Sequence, residues 1–182
     1  TPEFAVPSLK CLIESKHDVV AVLTQTDKPK GRKGKPEAPP VKNIALDAGL
    51  QVIQPENVNS EQIIEKLEKL NPDVIVVVAF GQKISDRILD LPKHKCVNIH
   101  ASLLPKYRGA APINWAVVNG EKETGITTII MSNKMDAGDV IIRKSLTIGP
   151  EETAGELGNR LSDLGAETLL DSLMRIETGD AK

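Results

Sequence analysis

The stretch DVIVVVAF, Asp73 to Phe80, decides the fold, because it places five β-branched residues in unbroken succession, Val74 to Val78. An apolar run without polar alternation is buried on both faces, the condition of an inner strand in a parallel sheet. DVVAVLT (18 to 24) has the same character, and CVNIH (96 to 100) is a shorter candidate. Helical patterns lie between the runs: VKNIALDAG (41 to 49) and SEQIIEKLEKL (60 to 70), the second with Ser60 as a candidate cap and a stop at Asn71-Pro72. Strands alternating with helices predict an α/β wound sheet.

Farther along, APINWAVVNG (111 to 120) reads as a helix with Pro112 near its start and Gly120 past its end. TGITTIIMS and DVIIRKSLTI follow, joined by a turn around NKMDAG, which predicts an antiparallel edge. From Thr153 to about Ile176, Leu157, Leu161, Leu164, Leu169 and Leu173 recur at helical spacing, so this helix should lie against the sheet. Thr1-Pro2 reads as a helix cap followed by proline at the first helical position.

With 182 residues, 40% hydrophobic and 26% charged, the chain suits one domain spanning 1–182 with a core of its own. No apolar run approaches the roughly 20 residues of a membrane span, and no leader pattern precedes the fold, so a cytoplasmic protein without membrane partners is expected. Cys11 and Cys96 fit neither a disulfide framework nor a metal spacing and read as small hydrophobes. The formal charge is −2, yet residues 28 to 35 hold five Lys/Arg and no acid, which leaves −7 elsewhere. Positive charge is therefore concentrated in DKPKGRKGKPEAPP (27 to 40), a composition that otherwise describes a solvated loop.

The candidate site follows CVNIH. On an extended strand Asn98 and His100 share a face while Val97 and Ile99 point the other way, and Ser102 would continue the row. Ligands of open α/β sheets bind beyond the carboxyl ends of the strands, where this row stops. Each residue alone is more readily structural. Together, and followed by Pro105, Arg108 and Gly109, they point to chemistry at a carbonyl. A histidine can exchange a proton near neutral pH, a role worth roughly 10² to 10⁴ in rate, and an asparagine amide can donate to a developing oxyanion. Ser102 lacks a G-x-S-x-G elbow and neither cysteine sits in a nucleophile motif, so the attacking atom should belong to a substrate. His17, His94 and His100 form no metal-ligand pattern, and no phosphate-binding or dinucleotide glycine motif occurs. In MDAGDV, Asp136 and Asp139 flank Gly138; one of them is a candidate to orient the ring, against the plainer reading of an Asx turn.

NIHASLLPKYRGAAPINWA, followed by MDAGD, resembles the folate-dependent formyltransferases, and the N-x-H-x-S-L-L-P-x-Y-R-G run is highly specific for them. The opening TPEFAVPSL is similar to the branch acting on charged initiator tRNA. The resemblance covers the whole chain and implies a Rossmann-like, mostly parallel sheet flanked by helices, the formyltransferase fold, with an antiparallel edge. It implies Asn98, His100 and Asp136 as the catalytic set, and Ser102, Leu103, Leu104 and Pro105 with Gly138 at the 10-formyltetrahydrofolate site. Phe80, Gly81 and Gln82 match a backbone-lined part of that pocket, although the family usually has tyrosine at Phe80 and Ile-Leu-Pro near Lys83 to Ser85. The implied reaction is attack of the methionyl α-amine of charged initiator tRNA on the formyl carbon. Asn98 would stabilise the oxyanion, His100 would do likewise or shuttle the proton, and Asp136 would set the state of His100 and hold a relaying water. Lys30, Arg32, Lys33 and Lys35 would contact tRNA phosphates, with Arg32 foremost. With aromatics at 2%, such contact should rest on charge and shape.

The resemblance also implies a strand ending in glycine before Thr1 and a basic, barrel-like tRNA-binding domain beyond Lys182. The chain is accordingly expected to be a piece of a longer protein, acting as a monomer and without a metal. Rival readings are a formyltransferase for an amino-sugar nucleotide, a formyltetrahydrofolate hydrolase, and a catalytically silent folate- or RNA-binding module.

Overall fold

The computed structural model describes residues 1–30 and 34–180. A 3-10 turn, Glu3–Ala5, leads into α1 (Val6–Glu14) and β1 (Val22–Leu23), then a hairpin of β2 (Lys28–Lys30) and β3 (Lys35–Glu37). Next come α2 (Pro40–Asp47), β4 (Val52–Ile53), α3 (Glu61–Leu70), β5 (Ile75–Val77), α4 (Asp86–Leu89) and β6 (Cys96–His100). The last third holds α5 (Pro112–Val118), β7 (Glu123–Ile130), β8 (Val140–Thr147) and α6 (Ala154–Thr178).

β1 pairs with β4 and β5 with β6, both parallel, while β6, β7 and β8 pair antiparallel in order. The expected parallel strands and antiparallel edge are both present, and the edge holds the two longest strands. β6 has its expected bounds, but β1 and β5 are much shorter than their apolar runs. Each has a hydrogen-bonded neighbour on one edge only, and an apolar cavity of about 590 Å³ is walled in part by Ala21–Leu23 and Val74–Val78.

Alternation along β6 sorts the core into two layers. Cys96 packs with Ile63, Ile64 and Leu67 of α3 and Ile88 of α4, whereas Ile99 packs with Leu157, Leu161 and Leu169 of α6. Each of those leucines is completely buried, which stabilises the fold by roughly 1.5–3 kcal/mol per side chain. Of the three threonines that β7 buries, two have hydroxyls bonded beyond the strand: Thr128 Oγ1 shares a 2.7 Å hydrogen bond with Ser172 of α6, and Thr127 is used at the site described below.

Two sequence expectations are corrected. Thr1 does not cap a helix; Pro2 precedes the 3-10 turn, and the first α-helix starts at Val6 with Pro7 in its first turn. Ser60 occupies the cap position of α3 but its hydroxyl makes no capping bond. In the basic segment β2 and β3 pair antiparallel from Lys28↔Glu37 to Lys30↔Lys35, and residues 27–29, 36 and 37 are exposed. Its base is anchored where Lys42 Nζ and Gln54 Nε2 each donate to Asp27 Oδ1 at 2.8 Å.

α6 begins with a full capping box: Glu156 N donates to Thr153 Oγ1 at 3.3 Å and Thr153 N donates to Glu156 Oε2 at 2.9 Å. Thr153→Ala removes one of the two and should lower unfolding free energy by about 1 kcal/mol. Urea unfolding checks this, as a lower midpoint at unchanged slope.

Candidate active site

The site begins where β6 ends. His100 pairs across the ladder with Thr127, whose hydroxyl donates to Ser102 O at 2.6 Å and accepts from Leu104 N at 3.1 Å. Ser102 is itself wholly buried and donates to Lys106 O at 2.6 Å. These bonds tie the chain into a turn directly after His100, which is why the row of polar residues stops there. Ser102 therefore does not continue the Asn98–His100 row toward solvent.

The carboxylate arrives from the connection between β7 and β8. The pair carries a register shift at Thr128/Ile129, after which Ile130 N donates to Asp139 O at 2.8 Å. Beyond that bond the backbone folds back so closely that a Cβ on Gly138 would land on the Ile130 carbonyl oxygen. Asp136, at φ 46°, is thereby turned toward β6. Its Oδ1 lies 3.4 Å from Asn98 Nδ2, and its Oδ2 lies 3.5 Å from His100 Nδ1 and accepts from Gly109 N at 2.8 Å. Arg108 Nε donates to the Asp136 carbonyl at 3.1 Å.

The other face of the imidazole is also engaged. His100 Nε2 is 2.8 Å from the Tyr107 carbonyl oxygen, which can only accept, so Nε2 carries a hydrogen. Nδ1 is left toward Asp136, in a site where the two side chains are 7% and 13% exposed. A proton on Nδ1 would sit between the ring and the carboxylate, and little water screens the pair. Tyr107, Ala111 and Asp136 all have positive φ, at 55°, 54° and 46°. Each costs roughly 1–3 kcal/mol in backbone strain that the surrounding bonds must hold.

The structure brings together Asn98, His100 and Asp136, while Asp139 is engaged through its backbone in the hairpin ladder. Of the other expected residues, Phe80–Gln82 follow β5 and Ser102–Pro105 follow β6. Gln82 is committed to framework: its Oε1 accepts from Val58 N at 2.8 Å and its Nε2 donates to Pro55 O at 3.2 Å. Phe80 packs on the α3 core layer, and its carbonyl accepts from Gln25 Nε2 at 2.9 Å. Gly81, at φ 83°, is exposed beside it. Leu104 is buried, and Leu103 and Pro105 line an open concavity whose far wall is residues 119–124. Lys30 and Lys35 are backbone register partners in the hairpin ladder, while Arg32 and Lys33 lie outside the described residues. Burial pushes the Cys11 thiol up to about 11 and Cys96 up to about 12, so neither is a nucleophile near neutral pH. No group of His, Cys, Asp and Glu able to hold a metal occurs among the described residues.

Sequence reasoning missed Thr127 and Tyr107. Thr127 sits in an apolar strand, where a threonine reads as β-propensity alone, and Tyr107 acts through a backbone atom that its side chain does not advertise.

Residues 1–173 match the formyl transferase family model. The chain belongs to this family. It is 54% identical over 179 residues to the methionyl-tRNA formyltransferase of Geobacter metallireducens, covering 98% of this chain and 58% of that protein. The methionyl-tRNA formyltransferase of Caldanaerobacter subterraneus is 52% identical over 180 residues, with 98% and 58% covered. The chain thus spans somewhat over half the length of these relatives. Among solved structures, phosphoribosylglycinamide formyltransferase from Streptococcus pneumoniae superposes with a TM-score of 0.80 at 18% identity, covering 97% of this chain and 95% of that one. A sugar N-formyltransferase from Shewanella gives 0.67 at 20%, covering 98% and 64%. At such identities the likeness is one of fold.

Gly138→Ala should force the β7–β8 connection off Ile130, costing about 1–3 kcal/mol of stability and displacing Asp136 from His100. A thermal melt together with the chemical shifts of the His100 ring checks this; wild-type values for both would show that the connection yields without moving the carboxylate.

Proposed function

We propose that this protein transfers the formyl group of 10-formyltetrahydrofolate to the α-amine of methionyl-initiator-tRNA. The observation that carries the reading is the convergence of Asp136 on Asn98 and His100 at the carboxyl end of β6, through contacts of 3.4 and 3.5 Å. An amide donor, an imidazole and a carboxylate around one point are what transfer between two amines requires. They supply no nucleophile of their own, so the attacking nitrogen is the substrate's.

In the proposed reaction the amine lone pair forms a bond to the formyl carbon, and the carbonyl electrons move onto oxygen. Asn98 Nδ2, whose contact with Asp136 is long, is free to turn its second hydrogen to that oxyanion. His100 presents Nδ1 on the same face, because Nε2 is taken by the Tyr107 carbonyl. Collapse breaks the bond from carbon to N10 of the folate; N10 takes up a proton as the new amide nitrogen gives one up. Asp136 Oδ2, 3.5 Å from Nδ1, is placed to receive a hydrogen carried there.

Two backbone-rich segments fit the folate donor. Phe80 and Gly81 end the β5 segment, and Leu103 to Pro105 follow β6, so the pterin and formyl ends would meet main-chain groups and apolar side chains. Ser102 and Gln82, whose polar atoms are already paired, would shape those segments from behind.

The acceptor is assigned from relatives that are 54% and 52% identical to this chain over the aligned 179 and 180 residues and are named methionyl-tRNA formyltransferases. The β2–β3 hairpin supports it, since five Lys/Arg within residues 28 to 35 suit a phosphate backbone.

In a transfer assay offering charged initiator tRNA beside amino-sugar nucleotides, only the tRNA should be formylated. Asn98→Ala, His100→Ala and Asp136→Ala should each lower kcat by roughly 10² to 10⁴ with little change in KM. Full turnover in these variants would refute the assignment. Arg32→Ala should raise KM for tRNA and reduce its log–log salt slope by about one, as for loss of a single phosphate contact; an unchanged KM would remove the hairpin from tRNA recognition.

A further inference from the structure

We propose that Tyr107 and Glu121 form a positioning device that fixes which nitrogen of His100 faces the reactants. The inference rests on the proposed reaction for its kinetic consequence, but its physical content is independent of the acceptor.

The Tyr107 carbonyl reaches His100 Nε2, at 2.8 Å, from a residue whose φ is 55°. A tyrosine does not hold that conformation unaided. Its side chain supplies the restraint: the hydroxyl donates to Glu121 Oε1 at 2.7 Å and accepts from Asn119 Nδ2 at 3.0 Å. Glu121 is in turn fixed by Lys106 Nζ, 3.1 Å from both carboxylate oxygens, and by its own N–H donating to Ala116 O at 3.0 Å. The Tyr107 and Lys106 donors hold the Glu121 carboxyl below its usual range, so it stays an acceptor at neutral pH. The chain of restraint runs from the end of α5 through Glu121 and the phenol to one backbone oxygen.

The consequence follows from the donor and acceptor rules of imidazole. With Nε2–H given to Tyr107, the neutral ring has its lone pair on Nδ1, and that nitrogen alone can take a proton beside Asp136. If the carbonyl swings away, the ring is free to carry its hydrogen on Nδ1, which donates to Asp136 and leaves no base on the reacting side. The groups facing the ring are Asp136 from the β7–β8 connection, with Arg108 bound to its carbonyl, and Asn98 and Thr127 from the strands. None of them restrains Nε2. Neither Tyr107 nor Glu121 touches the reacting atoms in this arrangement, so their effect is exerted only through His100.

The test uses the intact protein with ¹⁵N-labelled histidine and the variants Tyr107→Phe, Glu121→Ala and Glu121→Gln. The wild-type neutral ring should show His100 protonated at Nε2. Tyr107→Phe and Glu121→Ala should shift part of the population to Nδ1–H and lower kcat about tenfold, the scale on which groups orienting a functional imidazole through its other nitrogen act, with KM for both substrates within about twofold. Glu121→Gln keeps an oxygen for the phenol and should restore most of the wild-type behaviour. A wild-type ring protonated at Nδ1, or variants whose ring spectrum is unchanged, would overturn the inference. If wild-type protein transfers no formyl group to methionyl-tRNA, the functional reading fails, and the ring spectra alone decide this one.

Discussion

Everything at the site depends on how closely the β7–β8 connection approaches the end of β7. Ile130 presents its carbonyl oxygen where any side chain on Gly138 would sit, and that contact turns Asp136 back over β6. A carboxylate some forty positions away in sequence thus comes within hydrogen-bonding range of an amide and an imidazole. The strand supplies the amide and imidazole by alternation alone; the acid requires this particular hairpin geometry.

Strain and satisfaction are balanced in the same few residues. Tyr107, Ala111 and Asp136 adopt left-handed backbone conformations, and around them nearly every polar atom has a partner. Such conformations persist only where surrounding bonds over-determine them. For Tyr107 and Asp136 those bonds come from Glu121, Gly109 and Arg108, none of which the proposed chemistry consumes.

The fold was legible to the extent that apolar periodicity carries it. β6 and α6 could be read almost to the residue, because one is a short alternating strand and the other a long leucine pattern. β1 and β5 are shorter than their apolar runs, because an apolar run reports burial and not how far hydrogen-bonded pairing extends. Asn98 and His100 were legible from strand alternation. The choice of Asp136 over Asp139 came only through family resemblance, because both flank the same glycine and the register shift that separates them leaves no trace in composition. The roles of Ser102 and Gln82 were hidden for a related reason: their hydrogen bonds run to backbone atoms distant in sequence. Tyr107 was invisible as a functional residue because its working atom is one that every amino acid possesses.

The segment from Tyr107 to Gly109 meets both members of the acid–imidazole pair, offering a carbonyl to the ring and an amide hydrogen to the carboxylate. Two groups borne on different parts of the chain are thus gauged against one tripeptide. The tripeptide therefore works as a caliper, touching on its outer side a ring held by one strand and an acid held by a hairpin.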